Sequence, residues 1–189
     1  RTVGGLVGAN RGSSVVLDAE ASGDVTGELY VGGLVGAHVG RSTIRQRIAV
    51  GDLTNGVVMR STATGDVTGR SSVGGLVGSK RESVVIDAAA SGDVEATDES
   101  ARAGGLVGRS GEGLVTGSVA TGRVAGTGAG TMAGGLVGEQ QHGIVSRSAA
   151  TGAVAGGGGA GGLVGESWDE SVVSRSYATG RVTGDSLAG

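Results

Sequence analysis

Among the side chains that suggest chemistry, the two histidines come first. His38 lies in the stretch AHVG and His142 in EQQHG, and neither belongs to an HExxH pair, so the sequence contains no zinc peptidase motif. The chain contains no Cys, which excludes disulfides, thiolate metal sites and a Cys nucleophile. We expect both histidines to lie exposed in turns.

Motifs for acyl transfer or phosphate binding are missing as well. No Gly-x-Ser-x-Gly elbow and no GK[ST] loop occurs, and the run GGGGAGGLVG from Gly156 to Gly165 is interpreted as a glycine-filled connection. Trp168, Asp169 and Glu170 form the one cluster of an aromatic residue with carboxylates, in a predicted loop. We interpret Trp168 as a loop anchor or a partner contact rather than a sugar platform, and we expect no enzymatic activity and no cofactor.

A column of aspartates is the candidate metal site. Asp24, Asp66 and Asp93 recur at one position of a repeated unit, and Asp52 comes from an insertion. Stacked carboxylates about 5 Å apart repel one another, and either a bound Ca²⁺ or solvation relieves that repulsion. Arg123 and Arg181 replace Asp in later copies, which weakens the Ca²⁺ hypothesis.

Hydroxyl side chains form a second candidate face, for ice or another crystal surface. One column is Ser22, Thr64, Ser91, Thr121, Thr151 and Thr179, and a second begins with Thr26, Thr68 and Thr183. Against this hypothesis, the position between the columns carries Asp or Arg in five of six copies. Thr also favours exposed strand sites in general.

These residues are positioned by an internal repeat. The pentapeptide GGLVG occurs six times, starting at residues 4, 32, 74, 104, 134 and 161, so the intervals are 28, 42, 30, 30 and 27 residues. A second half of the form A-[ST]-G-x-V follows each copy. The long interval is explained by an extra half-unit at about 41–54, introduced by the turn pair Asn55-Gly56. We treat residues 1–189 as one repeat domain.

Alternation of apolar and polar residues predicts β-strands with one buried face. The buried positions predicted in the first copy are Val15, Leu17, Ala19, Ala21, Gly23 and Val25. Those predicted in the third copy are Val84, Ile86, Ala88, Ala90, Gly92 and Val94. One of these positions admits only small side chains, namely Ala19, Ser61, Ala88, Ser118, Ser148 and Ser176. The core is therefore predicted to be thin.

Glycine accounts for 43 of the 189 residues, and most glycines hold fixed places in the repeat. The structural glycines in GGLVG are Gly5, Gly33, Gly75, Gly105, Gly135 and Gly162. Those in A-[ST]-G are Gly23, Gly65, Gly92, Gly122, Gly152 and Gly180. A strand position without a Cβ suggests close approach of another backbone, so Val at Gly92 or Gly122 is predicted to destabilise the stack.

Glycine also excludes a helical repeat, because each interior Gly costs about 1 kcal/mol relative to Ala. The predicted fold is all-β, a parallel β-helix or β-solenoid of about six Gly-rich repeats with a period of about 28–30 residues. Spacing leaves the coil size open between 14 and 28 residues, although one GGLVG per unit favours 28. At about 4.8 Å per coil the two sizes give rods of about 60 Å and about 30 Å.

The unit GGLVG, a variable turn and VVxxSxATGxVxG resembles the GLUG-motif repeat. The resemblance covers essentially the whole chain and implies a β-helical segment of bacterial or archaeal surface proteins. Such repeats are found in adhesin-like proteins and beside the catalytic domains of IgA-specific metallopeptidases. The family implies a structural module and supplies no catalytic residues to carry over.

The expected function is a non-catalytic spacer or adhesive scaffold of an extracellular surface protein, with a protein or glycan ligand at the variable turns AHVGRS, KRES, EQQHG and SWDES. The alternative is the stalk of a secreted protease or glycan-active enzyme. A net charge of −3 argues against nucleic acid, and no apolar run is long enough for a membrane span. Neither end looks capped, so we expect either a piece of a longer array or end-to-end assembly into a filament.

Overall fold

A computed structural model describes residues 1–40, 56–184 and the strand Leu187–Ala188. These residues form short strands and no helix, and therefore no helix long and apolar enough to cross a membrane. The chain winds through six coils of five strands each and begins a seventh. The predicted extra half-unit at 41–54, with Asp52, lies outside the described residues.

The strands follow one another in the same order in every coil. The first coil contains β1 (Thr2–Gly4), β2 (Val7–Arg11), β3 (Val15–Leu17), β4 (Glu20–Ala21) and β5 (Val25–Thr26). The second contains β6 (Tyr30–Gly32), β7 (Val35–Val39), β8 (Val57–Met59), β9 (Thr62–Ala63) and β10 (Val67–Gly69). The third contains β11 (Ser72–Gly74), β12 (Val77–Arg81), β13 (Ser83–Ile86), β14 (Ala89–Ala90) and β15 (Val94–Ala96).

The later coils repeat this order. The fourth contains β16 (Arg102–Gly104), β17 (Val107–Ser110), β18 (Gly113–Thr116), β19 (Val119–Ala120) and β20 (Val124–Gly126). The fifth contains β21 (Met132–Gly134), β22 (Val137–Gln141), β23 (Gly143–Ser146), β24 (Ala149–Ala150) and β25 (Val154–Gly156). The sixth contains β26 (Gly159–Gly161), β27 (Val164–Trp168), β28 (Val172–Ser174), β29 (Tyr177–Ala178) and β30 (Val182–Gly184), and β31 (Leu187–Ala188) begins the seventh.

Strands of the same rank pair in parallel from coil to coil and build five sheets, named here the first to the fifth sheet. Each GGLVG lies directly on the next, since Val3 pairs with Val31 and Val31 with Val73. One repeat is therefore one coil, and the 14-residue alternative is excluded. The predicted parallel β-solenoid is confirmed, and six coils at about 4.8 Å each extend about 30 Å.

The core consists of two hydrophobic columns that run along the solenoid. The larger lies between the second, third and fourth sheets and contains the GGLVG leucines Leu34, Leu76, Leu106 and Leu136, all fully buried. The smaller joins the first and fifth sheets through Val31, Val73, Val67 and Val94. Each coil contributes a few small aliphatic side chains to each column, so a single coil buries too little apolar surface to fold alone.

The predicted burial is correct after the corner between the third and fourth sheets and wrong before it. From Ala88 onward the alternation holds, since Ala88, Ala90 and Val94 are buried. Before the corner it is reversed, because Val16 and Val85 point inward while Val15 and Leu17 are about half exposed. The cause is a single residue in the left-handed region, Asp18 (φ 49°) or Asp87 (φ 50°), which shifts the two-residue alternation by one.

This left-handed corner recurs in every coil, between the third and fourth sheets. Its residues are Asp18, Arg60, Asp87, Gly117, Arg147 and Arg175, with φ between 47° and 62°. Each turns the chain within one residue, so short straight strands can follow one another around the coil.

Candidate functional site

Two glycine ladders hold neighbouring coils at backbone contact. A Cβ on Gly33 would overlap the carbonyl oxygen of Gly75 in the following coil, and the other GGLVG glycines up to Gly135 repeat this contact. A Cβ on Gly122 would overlap the carbonyl oxygen of Gly92 in the preceding coil. In the first ladder each glycine contacts the following coil, and in the second ladder each glycine contacts the preceding coil.

A buried column of polar side chains lies within the second sheet, near the carboxyl-terminal ends of its strands. The residue at this position is Asn10, His38, Lys80, Ser110 and Gln140 in the first five coils, and all five are buried. The column lies inside the coil, next to the turn that leads into the third sheet. It replaces apolar core at the position where the chain turns.

Lys80, the only lysine in the chain, ties two coils together through this column. Its Nζ donates hydrogen bonds to the carbonyl oxygens of Ser83 in its own coil at 3.0 Å and of Gly111 and Glu112 in the next at 3.3 Å. Burial lowers the pKa of Lys80 to about 7. A cation in this position needs all three carbonyl oxygens to offset its lost hydration.

Gln140 repeats the arrangement with a neutral side chain. Its Nε2 donates to the carbonyl oxygen of Gly143 at 2.6 Å and to that of Val172 in the next coil at 3.5 Å. Lys80 and Gln140 therefore supply donors to backbone carbonyl groups of their own and of the next coil.

His38 is fully buried in this column, so the prediction that it lies exposed in a turn is wrong. Its ring packs against the backbone of Gly56, where a Cβ would lie 2.7 Å from Cε1. Burial lowers the pKa of His38 to about 4, a shift that the backbone of Gly56 partly opposes and the charge of Lys80 reinforces. Among the described residues neither ring nitrogen has a hydrogen-bond partner. His142 is exposed, as predicted.

A second set of cross-links comes from serines in the fourth sheet. Ser118 Oγ donates to the carbonyl oxygen of Thr116 at 3.0 Å and accepts a hydrogen bond from the backbone N–H of Ala88 in the preceding coil at 3.2 Å. Ser148 and Ser176 act in the same way toward the coils before them. The small side chains predicted here thus include a buried hydroxyl ladder.

The aspartate column caps backbone amides. Asp24 Oδ1 accepts a hydrogen bond from the N–H of Asp66 at 2.9 Å, and Asp66 Oδ1 accepts one from Asp93 at 2.8 Å. Asp93 does the same for Arg123. No cluster of three or more His, Cys, Asp or Glu side chains that could hold a metal occurs in the part of the chain that the structure describes. The Ca²⁺ hypothesis stays a prediction, and Asp52 lies outside that part.

The first hydroxyl column of the ice-binding hypothesis, from Ser22 to Thr179, is exposed, as the sequence predicts. Trp168 ends strand β27, so its placement in a loop is wrong, and its side chain is 44% exposed. Asp169 and Glu170 form the turn that follows, both with left-handed backbone. The exposure of Trp168 fits the partner contact that the sequence predicts.

The segments predicted as variable turns are in large part the ends of second-sheet strands, so that prediction is partly wrong, and the segments of neighbouring coils meet at one groove. A cavity of about 320 Å³ there is lined by Lys80, Arg81, Arg109, Glu112, Gln141 and His142, from the third, fourth and fifth coils. Beside it Glu139, with its side chain 3% exposed, binds the Nε atoms of Arg102 at 2.6 Å and Arg109 at 2.8 Å. The groove combines cationic side chains with the carboxylate of Glu112 and the hydroxyl of Ser79, which suits a polar ligand.

Sequence reasoning missed the buried polar column because polar residues after a strand ordinarily indicate an exposed turn. A signal was present, however. The second residue after GGLVG is polar in all six copies, whereas the residue before it varies between Ala, Ser, Arg and Glu.

The fold and these ladders define a class of protein, a parallel β-solenoid of one repeated coil. The family model described as the GLUG motif matches residues 156–183, which span the sixth coil. The chain therefore carries a GLUG motif, in agreement with a GLUG-motif repeat protein. Neither the curated proteins nor the solved structures gave a match.

Proposed function

We propose that this chain is a non-catalytic structural module, a stiff spacer or scaffold within an extracellular surface protein. This proposal is supported by the buried polar side chains that form hydrogen bonds, because these bonds connect backbone groups within one coil or between neighbouring coils. Lys80, Gln140 and the serine ladder each bind carbonyl or amide groups of a neighbouring coil. A catalytic site needs such groups free to meet a substrate, whereas a rod needs them engaged.

The spacer role is tested by length and stiffness. Small-angle scattering of the purified chain is expected to show a rod, with a length that rises by about 4.8 Å for each added coil. A compact or flexible particle whose size does not follow the number of coils contradicts the spacer role. Filaments in electron micrographs would support end-to-end assembly, and isolated short rods would exclude it.

The extracellular location is tested on cells that produce the whole protein. An antibody raised against the folded chain is expected to label intact cells as strongly as permeabilised cells. Labelling that needs permeabilisation contradicts the proposed location. The same full-length protein shows whether a protease or glycan-active domain accompanies the repeats, which would assign the chain to a stalk.

The groove at the variable turns favours an adhesive role for the scaffold. Its size and its mixture of Arg81, Gln141 and His142 fit a polar ligand such as a glycan or a peptide. Binding to an array of glycans is expected to be lost on Arg81→Ala. Arg11→Ala, at the equivalent strand position in the first coil, is the matched control.

A further inference from the structure

The groove at the second sheet contains a notch where one coil lacks a side chain. By the register of the sheet, Gly111 lies between Arg81 of the coil before and Gln141 of the coil after. A Cβ on Gly111 would meet no atom closer than Cγ of Arg81 at 3.3 Å, so the place of the missing side chain is largely empty. Gly111 lines the cavity of about 320 Å³ described above, and the notch is the recess between the two polar side chains.

Trp168 continues the same column one coil further. It pairs in register with Gln141, and its side chain is 44% exposed. Gln141 donates a hydrogen bond through Nε2 to Oδ2 of Asp169 at 3.0 Å, which holds its amide in the column. In a loop, Trp168 would be independent of the groove, whereas on β27 it extends the groove. From Arg81 in the third coil to Trp168 in the sixth is about 14 Å, longer than one sugar.

Polar groups of several kinds surround the notch. They are the hydroxyl of Ser79, the guanidinium groups of Arg81 and Arg109, the carboxylate of Glu112, the amide of Gln141 and the imidazole of His142. The hydroxyl groups of a sugar can both donate to and accept from such a set. The apolar face of a sugar ring, made of its C–H groups, packs on a flat aromatic surface such as an indole. A few polar groups beside an aromatic surface are typical of ligand sites.

The charges along the column are mixed and favour a ligand without charge. The strand ends concerned are residues 79–82, 109–112, 139–142 and 166–170. They carry the cations Lys80, Arg81 and Arg109 and the carboxylates Glu82, Glu112, Glu139, Glu166, Asp169 and Glu170. Arg102 adds one more cation through its bond to Glu139. The carboxylates oppose an anion and the exposed Arg81 opposes a cation, whereas a neutral ligand meets neither penalty.

We propose, building on the adhesive role proposed for the groove, that the column from Arg81 to Trp168 binds a neutral oligosaccharide that lies along the solenoid axis. One sugar ring packs on the indole of Trp168. The rest of the oligosaccharide fills the notch at Gly111, where its hydroxyl groups form hydrogen bonds with the surrounding side chains. Because the ligand spans several coils, a single sugar binds more weakly than an oligosaccharide.

A peptide suits this surface less well. The strands β12, β17 and β22 beneath the groove are each paired on both sides, so they offer no free edge to an added strand. The backbone N–H and C=O groups of a peptide would then need side-chain partners along its whole length. An oligosaccharide is therefore favoured over a peptide.

An array of neutral, carboxylated and sulfated oligosaccharides, printed with short peptides and monosaccharides, tests the ligand class. The purified chain is expected to bind neutral oligosaccharides and to bind the corresponding monosaccharides more weakly. Binding to acidic glycans alone or to peptides alone overturns the proposal. An array on which no neutral oligosaccharide is bound overturns it as well.

Trp168 is the only tryptophan of the chain, so its fluorescence reports on the site directly. Titration with the neutral oligosaccharide bound best on the array is expected to change its emission. Trp168→Ala is expected to weaken binding on the array at least about tenfold, and Gly111→Leu, which fills the notch, to weaken it too. Tyr177→Ala removes an exposed aromatic side chain of the same coil on the fourth sheet and is the matched control. Circular dichroism checks that each variant is folded, and Trp168→Ala alone decides if Gly111→Leu is not.

The failure of this inference can be told apart from failure of the proposed function. Full binding by Trp168→Ala together with lost binding by Arg81→Ala overturns the site at Trp168 and leaves an adhesive groove. Equal loss in Trp168→Ala and Tyr177→Ala, or binding without any change in emission, also overturns it. The spacer role is measured separately by scattering and does not depend on a ligand.

Discussion

Gly122 has no side chain because the carbonyl oxygen of Gly92 occupies the place where a Cβ would lie. Glycine is usually associated with turns that need positive φ, yet only Gly12, Gly113 and Gly117 among the described glycines have such backbone. Residues with side chains, such as Asp87 and Arg147, take most of the left-handed positions instead. Glycine serves here mainly to bring backbones together.

The contact predicts a large difference between two chemically identical substitutions. Gly122→Val is expected to lower the free energy of unfolding by about 3 kcal/mol or more, because the backbone of the preceding coil must move. Gly23→Val, at the same position of the first coil, meets no atom within 4 Å and should cost little. Urea denaturation of both variants measures the difference. Equal losses would show that the close approach does not carry the effect.

His38 makes stability depend on pH. Its pKa is about 4 in the folded chain against 6.5 for the free side chain, so between these values the unfolded state binds more protons. The contribution is fully present above pH 6.5 and is lost as the pH falls to 4, a loss of about 3 kcal/mol. His38→Gln should flatten the stability profile in this window, measured by urea denaturation at each pH. His142→Gln is the control, and a profile unchanged by His38→Gln would contradict the burial of an uncharged ring.

At the scale of the element, the sequence predicted that the chain forms strands. It predicted the buried face of a strand correctly only after the left-handed corner between the third and fourth sheets. Alternation is a local rule, so it placed Ala88 and Val94 correctly. It failed at Val84 and Val85, because Asp87 adopts left-handed backbone. This conformation cannot be predicted from the residue type, since the corner position carries Asp, Arg or Gly in different coils. The buried column was missed for a related reason. Lys80 needs the carbonyl oxygens of Gly111 and Glu112, which only the stacking of coils brings to it.

The left-handed corners predict a stabilising substitution. Arg147 has φ 47°, a region that costs a residue with a Cβ about 1 kcal/mol and costs glycine almost nothing. Arg147→Gly is therefore expected to raise the melting temperature, as the natural Gly117 occupies the same corner one coil earlier. Arg181→Gly, at an exposed position without positive φ, should give no gain. Thermal unfolding followed by circular dichroism compares the two, and equal shifts would rule out corner strain as the cause.

At the scale of the whole molecule, the repeat was sufficient to predict the solenoid but not its coil size. GGLVG spacing allowed one or two coils per unit, and the pairing of Val31 with Val73 shows one. Because every coil meets its neighbours through the same glycine contacts, stability should be nearly a sum over coils and the interfaces between them.

Removing one whole coil tests this additivity. Deletion of residues 105–134 joins Gly104 to Gly135 and restores GGLVG, so the shortened chain should fold cooperatively as a rod about 4.8 Å shorter. Glu139 would lose Arg109, and Arg102 would move from the preceding coil into the coil of Glu139, at the place of Met132. Deletion of residues 105–119 removes half a coil, breaks the register and should abolish the fold. Circular dichroism and sedimentation separate the outcomes, and a folded half-coil variant would contradict the one-repeat coil.

Coil length varies only at certain corners, while the five sheets stay in register. The connection from the fifth to the first sheet is two residues long after β10 and five residues long after β15 and β20. The connection from the second to the third sheet is one residue long after β12 and three residues long after β2 and β27. These connections are therefore suitable insertion sites for displayed peptides. Epitopes inserted at residues 98–100 and 128–130, within the two five-residue connections, would lie one coil apart along one edge, with a spacing of about 4.8 Å set by the backbone.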